Sequence, residues 1–503
     1  MHPNNSEINI DHNKEDFFAI KNPFKKLIIY SILLLAIKLL LLPFIQYVDA
    51  DGVSRIYMSI NWMENPVWIN SGNWAPLHFY LMGSALKIYN NQFYTPLIVN
   101  IILSIITLFP LFFIFKRKYN ESTALILCFL FSLSPIIFRL SLLTLAETPY
   151  LFFVILSAYV LYKGLEENKI KYVFLGGVFA NIAGGFRYES WMLSFIVSVL
   201  ILIKYSKKDF IVFLITAFIF PCIWLVSNFQ ESGNLFNSFN WASNAVETNK
   251  IDSFESLLRR IWFYPLSLIF AFGPIGMFYY IKTIKNTYKQ DKYKRIIKDY
   301  AIIFLIVFFI FLFNTIRGSL LLQHRFTITL YMISFPLFGY YFVQLNKKKI
   351  YLVLLFAFSG FALSYVYSSK GARPIPRLLK NEGIEINNIV KSNANPKSGL
   401  ILDYWGWENT FCIAFMSNLP RNNITYLDQN NEVNEVLIEV KRIVTSYNKG
   451  FILICNDGRF KDDIILKQDT LIVKKENIFI PVKPLKIFPD ATLYEYFYIN
   501  PKL

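Results

Sequence analysis

The stretch that decides the fold is LIIYSILLLAIKLLLLPFI, Leu27–Ile45, near the start of the chain. A helix needs roughly 20 apolar residues to cross a bilayer core about 30 Å thick. This stretch meets that length with one charged residue, Lys38, and comparable runs such as Ala301–Phe313 recur along the chain. The pattern predicts a polytopic α-helical membrane protein.

Composition supports the prediction of a membrane protein. Of the 503 residues 55% are hydrophobic, and the mean hydropathy is +0.40, whereas soluble domains are roughly 45–50% apolar. The formal net charge is +17, as expected where lysines and arginines stay in cytoplasmic loops and meet anionic lipid. The basic residues form no platform interleaved with aromatic residues, so we expect no nucleic-acid partner.

The lysine clusters orient the predicted helices. Lys21, Lys25 and Lys26 precede the first span, which places the N-terminus in the cytoplasm, and Met1–Asn22 lacks the features of a cleaved signal peptide. With about eleven spans every later lysine cluster falls on the same side, and Pro76–Tyr89 is then a membrane-hugging helix. The predicted spans are Leu27–Tyr47, Thr95–Phe115, Thr123–Leu140, Thr148–Tyr162, Tyr172–Phe186, Ser190–Ile203, Phe210–Phe229, Ile261–Ile281, Ala301–Thr315, Phe326–Val343 and Ile350–Tyr367.

Three regions follow from this topology. Residues 1–26 form a cytoplasmic N-terminal tail, residues 27–369 a transmembrane domain with a first outer loop at 48–94, and residues 370–503 an extracytoplasmic domain. The last region alternates strand-like and helical runs, which predicts a small α/β domain. Cys412 and Cys455 share it and could pair if it lies outside the cell. Its predicted strands are Gly399–Asp403, Asn423–Leu427 and Gly450–Cys455, and its predicted helices are Trp407–Ser417 and Val433–Tyr447.

The outer face of this topology collects carboxylates and arginines at membrane level. Such groups are costly there and indicate function by default. Two histidines that could hydrogen-bond a substrate lie on the same face. The set comprises Asp49, Asp51, Glu147, Glu189, Arg55, Arg139, Arg187, Arg317, Arg325, His78 and His324.

Each of these residues also has a purely structural explanation. The carboxylates of Asp49-Ala50-Asp51 can bind a metal or a cation, act as a general base, or cap a solvated loop. Glu147 can be an N-terminal charge that the helix dipole favours, and Arg187 can form a salt bridge with Glu189. The forked guanidinium suits phosphate, whether of a substrate or of a lipid headgroup. His78 can be a packed interfacial residue.

Four short stretches together resemble the GT-C superfamily of membrane glycosyltransferases, in the family 39-type branch of protein O-mannosyltransferases and lipid A aminoarabinose transferase. The likeness spans about residues 25–370 and rests mainly on the order of the motifs. The second-loop acid is Glu147, where aspartate is common. The stretches are Val48–Asp51, WAPLHFY at Trp74–Tyr80, LSPIIFRLSLLTLAETPYLF at Leu133–Phe152, and Phe326–Tyr341 with the preceding Gln323-His324-Arg325.

The resemblance implies an inverting transfer of a hexose or pentose from a polyprenyl-phosphate donor to an acceptor hydroxyl at the extracytoplasmic face. Topology supports the lipid-linked donor, because nucleotide sugars are cytosolic. One first-loop carboxylate, with Asp51 preferred, would take the acceptor proton. The implied catalytic residues are Asp49, Asp51 and Glu147, which would also be the ligands if a divalent cation (Mg or Mn) is used; the donor phosphate would meet Arg187, Arg317 and Arg325, and other substrate groups would meet His78, Glu189 and His324.

Two other classes of function compete with glycosyl transfer. A transporter or lipid flippase of envelope glycoconjugates often shows inverted repeats and broken helices near the midplane, but the sequence has no convincing repeat and its candidate charges lie at helix ends. A scaffold would use the C-terminal domain as a binding module. The acceptor, whether protein, glycolipid or polysaccharide, and the sugar are not specified by the sequence.

Overall fold

The computed structural model describes residues 20–42, 50–69, 74–240, 253–272, 291–343, 381–417, 419–427, 433–460, 463–474, 476 and 478–498. The first part of the described chain is almost entirely helical. Its helices are α1 (Pro23–Leu41), α2 (Ala50–Glu64), α3 (Leu77–Ile88), α4 (Tyr94–Ile106), α5 (Leu108–Lys118), α6 (Glu121–Leu133), α7 (Pro135–Leu140), α8 (Glu147–Glu166), α9 (Ile170–Gly184), α10 (Glu189–Lys204), α11 (Lys207–Ser232), α12 (Phe254–Phe272), α13 (Asp291–Arg317) and α14 (Thr327–Val343).

Some of these helices are long enough to cross a membrane. Within the described ranges, four helical segments are long and apolar enough to cross a membrane: Tyr94–Lys118, which joins α4 and α5, Glu147–Glu166, Lys207–Ser232 and Lys298–Arg317. The predicted polytopic helical fold is therefore confirmed at this level, whereas the predicted number of spans stays a prediction. The span predicted at Ile350–Tyr367 and the last part of the one at Ile261–Ile281 lie outside the described residues.

Local sequence explains where several helices begin. The Asn120 side chain accepts a hydrogen bond from the Thr123 amide at the start of α6, and the Ser206 hydroxyl accepts one from the Asp209 amide at the start of α11, as N-cap residues do. Pro135 stands at the first position of α7. It interrupts the span predicted at Thr123–Leu140, because proline lacks the N–H that a continuous helix would need there.

Close helix packing on one side of the bundle depends on glycine. A Cβ on Gly177 would lie 1.7 Å from Thr216 Oγ1, and one on Gly176 would lie 2.8 Å from Leu161 Cβ. The two glycines therefore let α9 approach both α8 and α11, because each position leaves no room for even one methyl group.

The segment between the first two predicted spans is more regular than the sequence predicted. The helix predicted at Pro76–Tyr89 is present as α3, but the predicted loop at 48–94 also contains α2, for which the sequence analysis predicted no helix. Ser59 and Trp62 of α2 pack directly against Gly83 of α3.

The C-terminal part contains a seven-stranded mixed sheet, as the predicted α/β region requires. The strand order is β2-β1-β3-β7-β6-β5-β4, with parallel pairing of β1 to β2 and β3 and antiparallel pairing from β3 onward. The three predicted strands correspond to β1, β2 and β3. The elements are α15 (Asn381–Asn393), β1 (Gly399–Leu402), α16 (Trp407–Met416), β2 (Ile424–Tyr426), α17 (Val433–Ser446), β3 (Lys449–Cys455), β4 (Ile464–Lys467), β5 (Thr470–Val473), β6 (Ile478–Ile487) and β7 (Ala491–Phe497).

Helices cover both faces of the parallel part of this sheet. Leu400 and Leu402 of β1 join a core with α15 and α16, whereas Ile401 joins a second core with α17, because successive side chains of a strand point to opposite faces. Cys412 and Cys455 both lie in the first core, and no disulfide joins them, so the pairing considered from the sequence is not formed.

Helix α2 connects the C-terminal sheet region to the helical bundle. The Tyr57 ring lies 6.0 Å from the Phe415 ring and is stacked with the Tyr426 ring at 6.1 Å. The Arg421 guanidinium lies over both tyrosine rings, at 5.2 and 5.1 Å. Val53 and Ile56 of α2 belong to the same buried core as α15 and α16. One face of α2 is therefore part of the C-terminal core.

Lys38 of the first predicted span lies inside the bundle. Its side chain is buried, and Nζ donates to Ser104 Oγ at 2.9 Å and to Ser141 Oγ at 2.8 Å. The Ser104 and Ser141 hydroxyls donate in turn to the carbonyls of Ile101 and Phe138. The lysine thus depends on the serines for its hydrogen bonds, but the serine donors do not depend on the lysine.

This asymmetry predicts opposite results for two substitutions. Ser141→Ala removes an acceptor from a buried amine and should cost about 1–3 kcal/mol, which lowers the midpoint of thermal unfolding. Lys38→Met removes the buried polar group and fills a similar volume, so the midpoint should stay or rise. The measurement is thermal unfolding of the full chain in lipid nanodiscs, with Ser198→Ala as a control because that buried hydroxyl contacts the Ser194 carbonyl. A larger loss for Lys38→Met than for Ser141→Ala would contradict the prediction.

Candidate active site

Four chain segments place charged side chains together at helix starts. Asp51 lies in the first turn of α2, Glu147 is the first residue of α8, and Glu189 is the first residue of α10. Arg187 lies in the turn before α10, and Arg325 lies in the short 3₁₀ turn His324–Phe326 before α14. The carboxylates suit these places because the positive end of the helix dipole favours negative charge.

These five side chains form one continuous chain of alternating charge. Arg325 Nη2 pairs with Asp51 Oδ2, and Arg325 Nε lies 3.6 Å from Glu147 Oε1. The same Glu147 oxygen pairs with Arg187 Nη1, and Arg187 Nε donates to Glu189 Oε2 at 3.1 Å. Glu147 therefore bridges two arginines that come from different parts of the sequence.

Burial increases toward the middle of this chain of charges. The exposed fraction of the side chain is 2% for Glu147, 11% for Arg187, 17% for Arg325, 19% for Glu189 and 20% for Asp51. Burial disfavours the charged form of Arg187, but Glu189 and Glu147 outweigh it, so the pKa of that guanidinium is raised. The two ends of this chain of charges, Asp51 and Glu189, are therefore its most accessible members.

Aromatic rings support the arginines. The guanidinium groups of Arg187 and Arg325 lie 4.9 and 5.6 Å from the centre of the Phe326 ring, an arrangement that favours a cation over the ring face. Arg325 Nε also donates to Gln323 Oε1 at 2.7 Å. The segment Gln323–Phe326, which includes the motif that carried part of the family resemblance, thus holds one arginine and supports a second.

Arg55 also lies at this site, although the sequence analysis gave it no role. It follows Asp51 by four residues on α2, is 7% exposed, and lies 4.6 Å from the Trp74 ring. Burial lowers its pKa to about 10, and the nearby Glu147 and Asp51 act in the opposite direction. Among the described residues, Nη1 of Arg55 is buried without a hydrogen-bond partner. Recognition of α2 as a helix would have revealed the i, i+4 spacing that puts Arg55 and Asp51 on one side.

The remaining predicted residues fall in different places. His78 is fully buried on α3, which is the packed environment considered from the sequence. Burial lowers the pKa of its imidazole, and the nearby positive charge of Arg55 lowers it further. His324 Nδ1 and Ser267 Oγ share a hydrogen bond of 2.7 Å, and the His324 ring stacks on Phe263. Arg317 is exposed at the end of α13, and no contact described for it joins it to the charged chain. Asp49 lies outside the described residues.

A metal ion is not indicated by the described side chains. Within the ranges that the structure describes, no group of three His, Cys, Asp or Glu residues is arranged to hold a metal. Asp51 and Glu147, the two predicted ligands that are described, both direct carboxylate oxygens at arginines. The arrangement therefore supplies its positive charge through guanidinium groups, which suit the oxygens of a phosphate.

Part of the chain is similar to a known protein family, and nearly all of it shares a known fold. A family model described as dolichyl-phosphate-mannose-protein mannosyltransferase matches residues 73–227. This segment includes Glu147, Arg187 and Glu189. No curated protein matches the chain in sequence.

Two crystal structures share the fold across nearly the whole chain. ArnT from Cupriavidus metallidurans bound to undecaprenyl phosphate is 10% identical, with a TM-score of 0.63 over 95% of this chain and 98% of that one. The same protein in the apo state is 11% identical, with a TM-score of 0.61 over 93% and 97% of the two chains. With the family match, this similarity confirms the resemblance to membrane glycosyltransferases of the GT-C superfamily.

The bridging position of Glu147 predicts that its loss destabilises the bundle. Glu147→Ala should cost about 3 kcal/mol, the lower end for breaking a buried ion pair, because each arginine keeps a second carboxylate. Thermal unfolding of the purified full chain measures the change. Glu121→Ala is the matched control: Glu121 also stands in the first turn of a helix, α6, but its pair with Lys116 is exposed and should contribute less than about 1 kcal/mol. Equal effects of the two substitutions would contradict the structural role of Glu147.

Proposed function

We propose that this protein is an inverting glycosyltransferase that moves a hexose or pentose from a polyprenyl-phosphate donor to an acceptor hydroxyl at the extracytoplasmic face of the membrane. The observation that carries the proposal is the alternating chain of Asp51, Arg325, Glu147, Arg187 and Glu189 at one set of helix starts. It combines an accessible carboxylate with several guanidinium groups, which is what proton removal and phosphate departure require. The bound lipid of the ArnT structure, undecaprenyl phosphate, supports a donor of this class.

Asp51 is the base of the proposed reaction. It stands at one of the two accessible ends of the charged chain, where the family resemblance implies a first-loop carboxylate, and it lies at the start of a helix that the C-terminal core holds in place. The acceptor hydroxyl gives its proton to this carboxylate while its oxygen forms the new bond to the anomeric carbon. The bond from that carbon to the phosphate oxygen breaks on the opposite side, which inverts the anomeric centre.

Arginines stabilise the phosphate that leaves. Arg325 contacts Asp51 in the structure, and we propose that donor phosphate replaces the carboxylate on this guanidinium. Asp51 then loses its cation and can take the acceptor proton. Arg55 contributes a buried N–H group without a described partner, and Arg187 adds positive charge on the other side of Glu147. Glu147 and Glu189 orient these arginines, and Arg317 remains a further candidate for phosphate binding.

Substitution of the base should abolish transfer without loss of the fold. Asp51→Asn keeps a hydrogen-bonding partner for Arg325 but cannot accept the proton, so the rate should fall about 100-fold or more. The assay is release of polyprenyl phosphate from a polyprenyl-phosphate sugar by purified protein in nanodiscs. Glu121→Gln, in the first turn of α6, is the control for loss of a helix-start carboxylate. Full activity of Asp51→Asn would overturn the assignment of the base, and movement of the lipid across liposomes without transfer would favour a flippase instead.

The assignment of Arg55 to the phosphate site is tested by a second substitution. Arg55→Ala should lower the transfer rate by about 100-fold, as expected when one donor to a developing oxyanion is removed. The exposed Arg259 of α12 offers a control, since Arg259→Ala removes the same side chain from the surface. The assay is again release of polyprenyl phosphate, with Arg317→Ala measured in parallel to decide whether that residue takes part. An Arg55→Ala variant that folds and transfers at the original rate would remove Arg55 from the site.

A further inference from the structure

A cavity lies where α2 meets the C-terminal sheet region, separate from the chain of charged residues. Its volume is about 320 Å³, near the lower end of sites that hold small molecules. Asn61 of α2 lines one side, the edge strand β2 and the turn before it line a second, and α17 lines the third. The side chains that line it include Asn61, Arg421, Tyr426, Glu435, Glu439 and Arg442.

The chemistry of the lining selects the kind of ligand. Hydrogen-bond donors come from Arg421 and Arg442, acceptors come from Glu435 and Glu439, and the amide of Asn61 offers both. The two positive and two negative charges balance. An anion would meet the carboxylates and a cation would meet the guanidinium groups, whereas a neutral polyol can use every group because each hydroxyl both donates and accepts.

Part of the lining is already held in position. Arg442 donates to Glu439 at 2.6 Å and to the Asn422 carbonyl at 3.2 Å. Tyr426 is stacked on Tyr57 and lies 4.9 Å from the Phe411 ring. A wall fixed in this way loses little conformational entropy when a ligand binds.

Two lining groups remain available for a ligand. Asn61 and Glu435 are exposed, and no side-chain hydrogen bond is described for either of them. They face the cavity from different elements, α2 and α17. A ligand in the cavity would therefore bridge the bundle and the C-terminal region.

The place of the cavity relates it to the proposed reaction. Asn61 follows Asp51 by ten residues on one helix, which corresponds to about 15 Å along the helix axis at 1.5 Å per residue. A chain of a few sugar units spans such a distance. We propose that the cavity binds a neutral saccharide of the acceptor, so that an oligosaccharide extends from it toward Asp51. This inference rests on the proposed function for its link to catalysis, whereas saccharide binding itself does not depend on that function.

Equilibrium binding tests the site directly. The probes are neutral tetrasaccharides of glucose, mannose and galactose, added to the full chain in lipid nanodiscs, because maltoside detergents would compete for such a site. We expect at least one probe to bind. Asn61→Ala and Glu435→Ala should each weaken that binding about fivefold, the effect of one hydrogen bond. Glu64→Ala and Asn65→Ala, at the end of α2 and outside the lining, should change it by less than about twofold.

The outcomes separate this inference from the proposed function. Three results would overturn the saccharide site: no tetrasaccharide binds, the Asn61 and Glu435 variants bind as tightly as the unsubstituted protein, or an unglycosylated peptide binds at this cavity. Release of sugar from the lipid donor to water, measured without acceptor, reports on the proposed function alone. If that release persists while saccharide binding fails, only the inference falls; if saccharide binding holds while release is absent, the proposed function falls.

Discussion

The desolvation of Glu147 constrains the arrangement of the end of the bundle at which these charged residues meet. A carboxylate with almost no exposed surface is stable as an anion only if cations and hydrogen-bond donors surround it. Arg187 and Arg325 supply them, and they come from turns that lie far apart in sequence. The starts of α8, α10 and α14 must therefore come together, and the Asp51 end of α2 joins them through Arg325. The charged chain is both a structural requirement and a site with reactive groups.

Helix α2 carries this constraint outward to the C-terminal sheet region. Asp51 and Arg55 lie near the charged chain, whereas Val53, Ile56 and Tyr57 belong to the core formed with α15 and α16. A rigid helix with two occupied faces transmits the position of one region to the other. The C-terminal region thus fixes the orientation of the carboxylate that the proposed mechanism uses as its base, which gives this region a role in the proposed reaction even at a distance from the reacting atoms.

Sequence reasoning could find the acids and arginines, because charged residues at the ends of long apolar runs are conspicuous. It could also place β1, β2 and β3, where short apolar runs alternate with helical ones. It could not find the pairing of Arg325 with Asp51, because local patterns carry no information about residues 274 positions apart. It missed α2 because one face of this helix contacts the charged residues of the site and another face packs in the C-terminal core. Such a helix lacks the single apolar stripe by which a helix is found in a sequence. It missed the antiparallel strands: β6 contains Pro481 and Pro484, which argue against a strand in a sequence, and its pairing with β7 is irregular.

The balance of charge explains why base and phosphate site can share one set of residues. Asp51, Glu147 and Glu189 face Arg55, Arg187 and Arg325, so the site is neutral as a whole. In the proposed reaction the donor phosphodiester, with one negative charge, becomes a phosphate monoester with up to two. The proton that leaves the acceptor neutralises Asp51 in the same step. The negative charge gained by the phosphate therefore equals the charge lost by the carboxylate, and the arginines between them stabilise its transfer without any change in the total charge of the buried site.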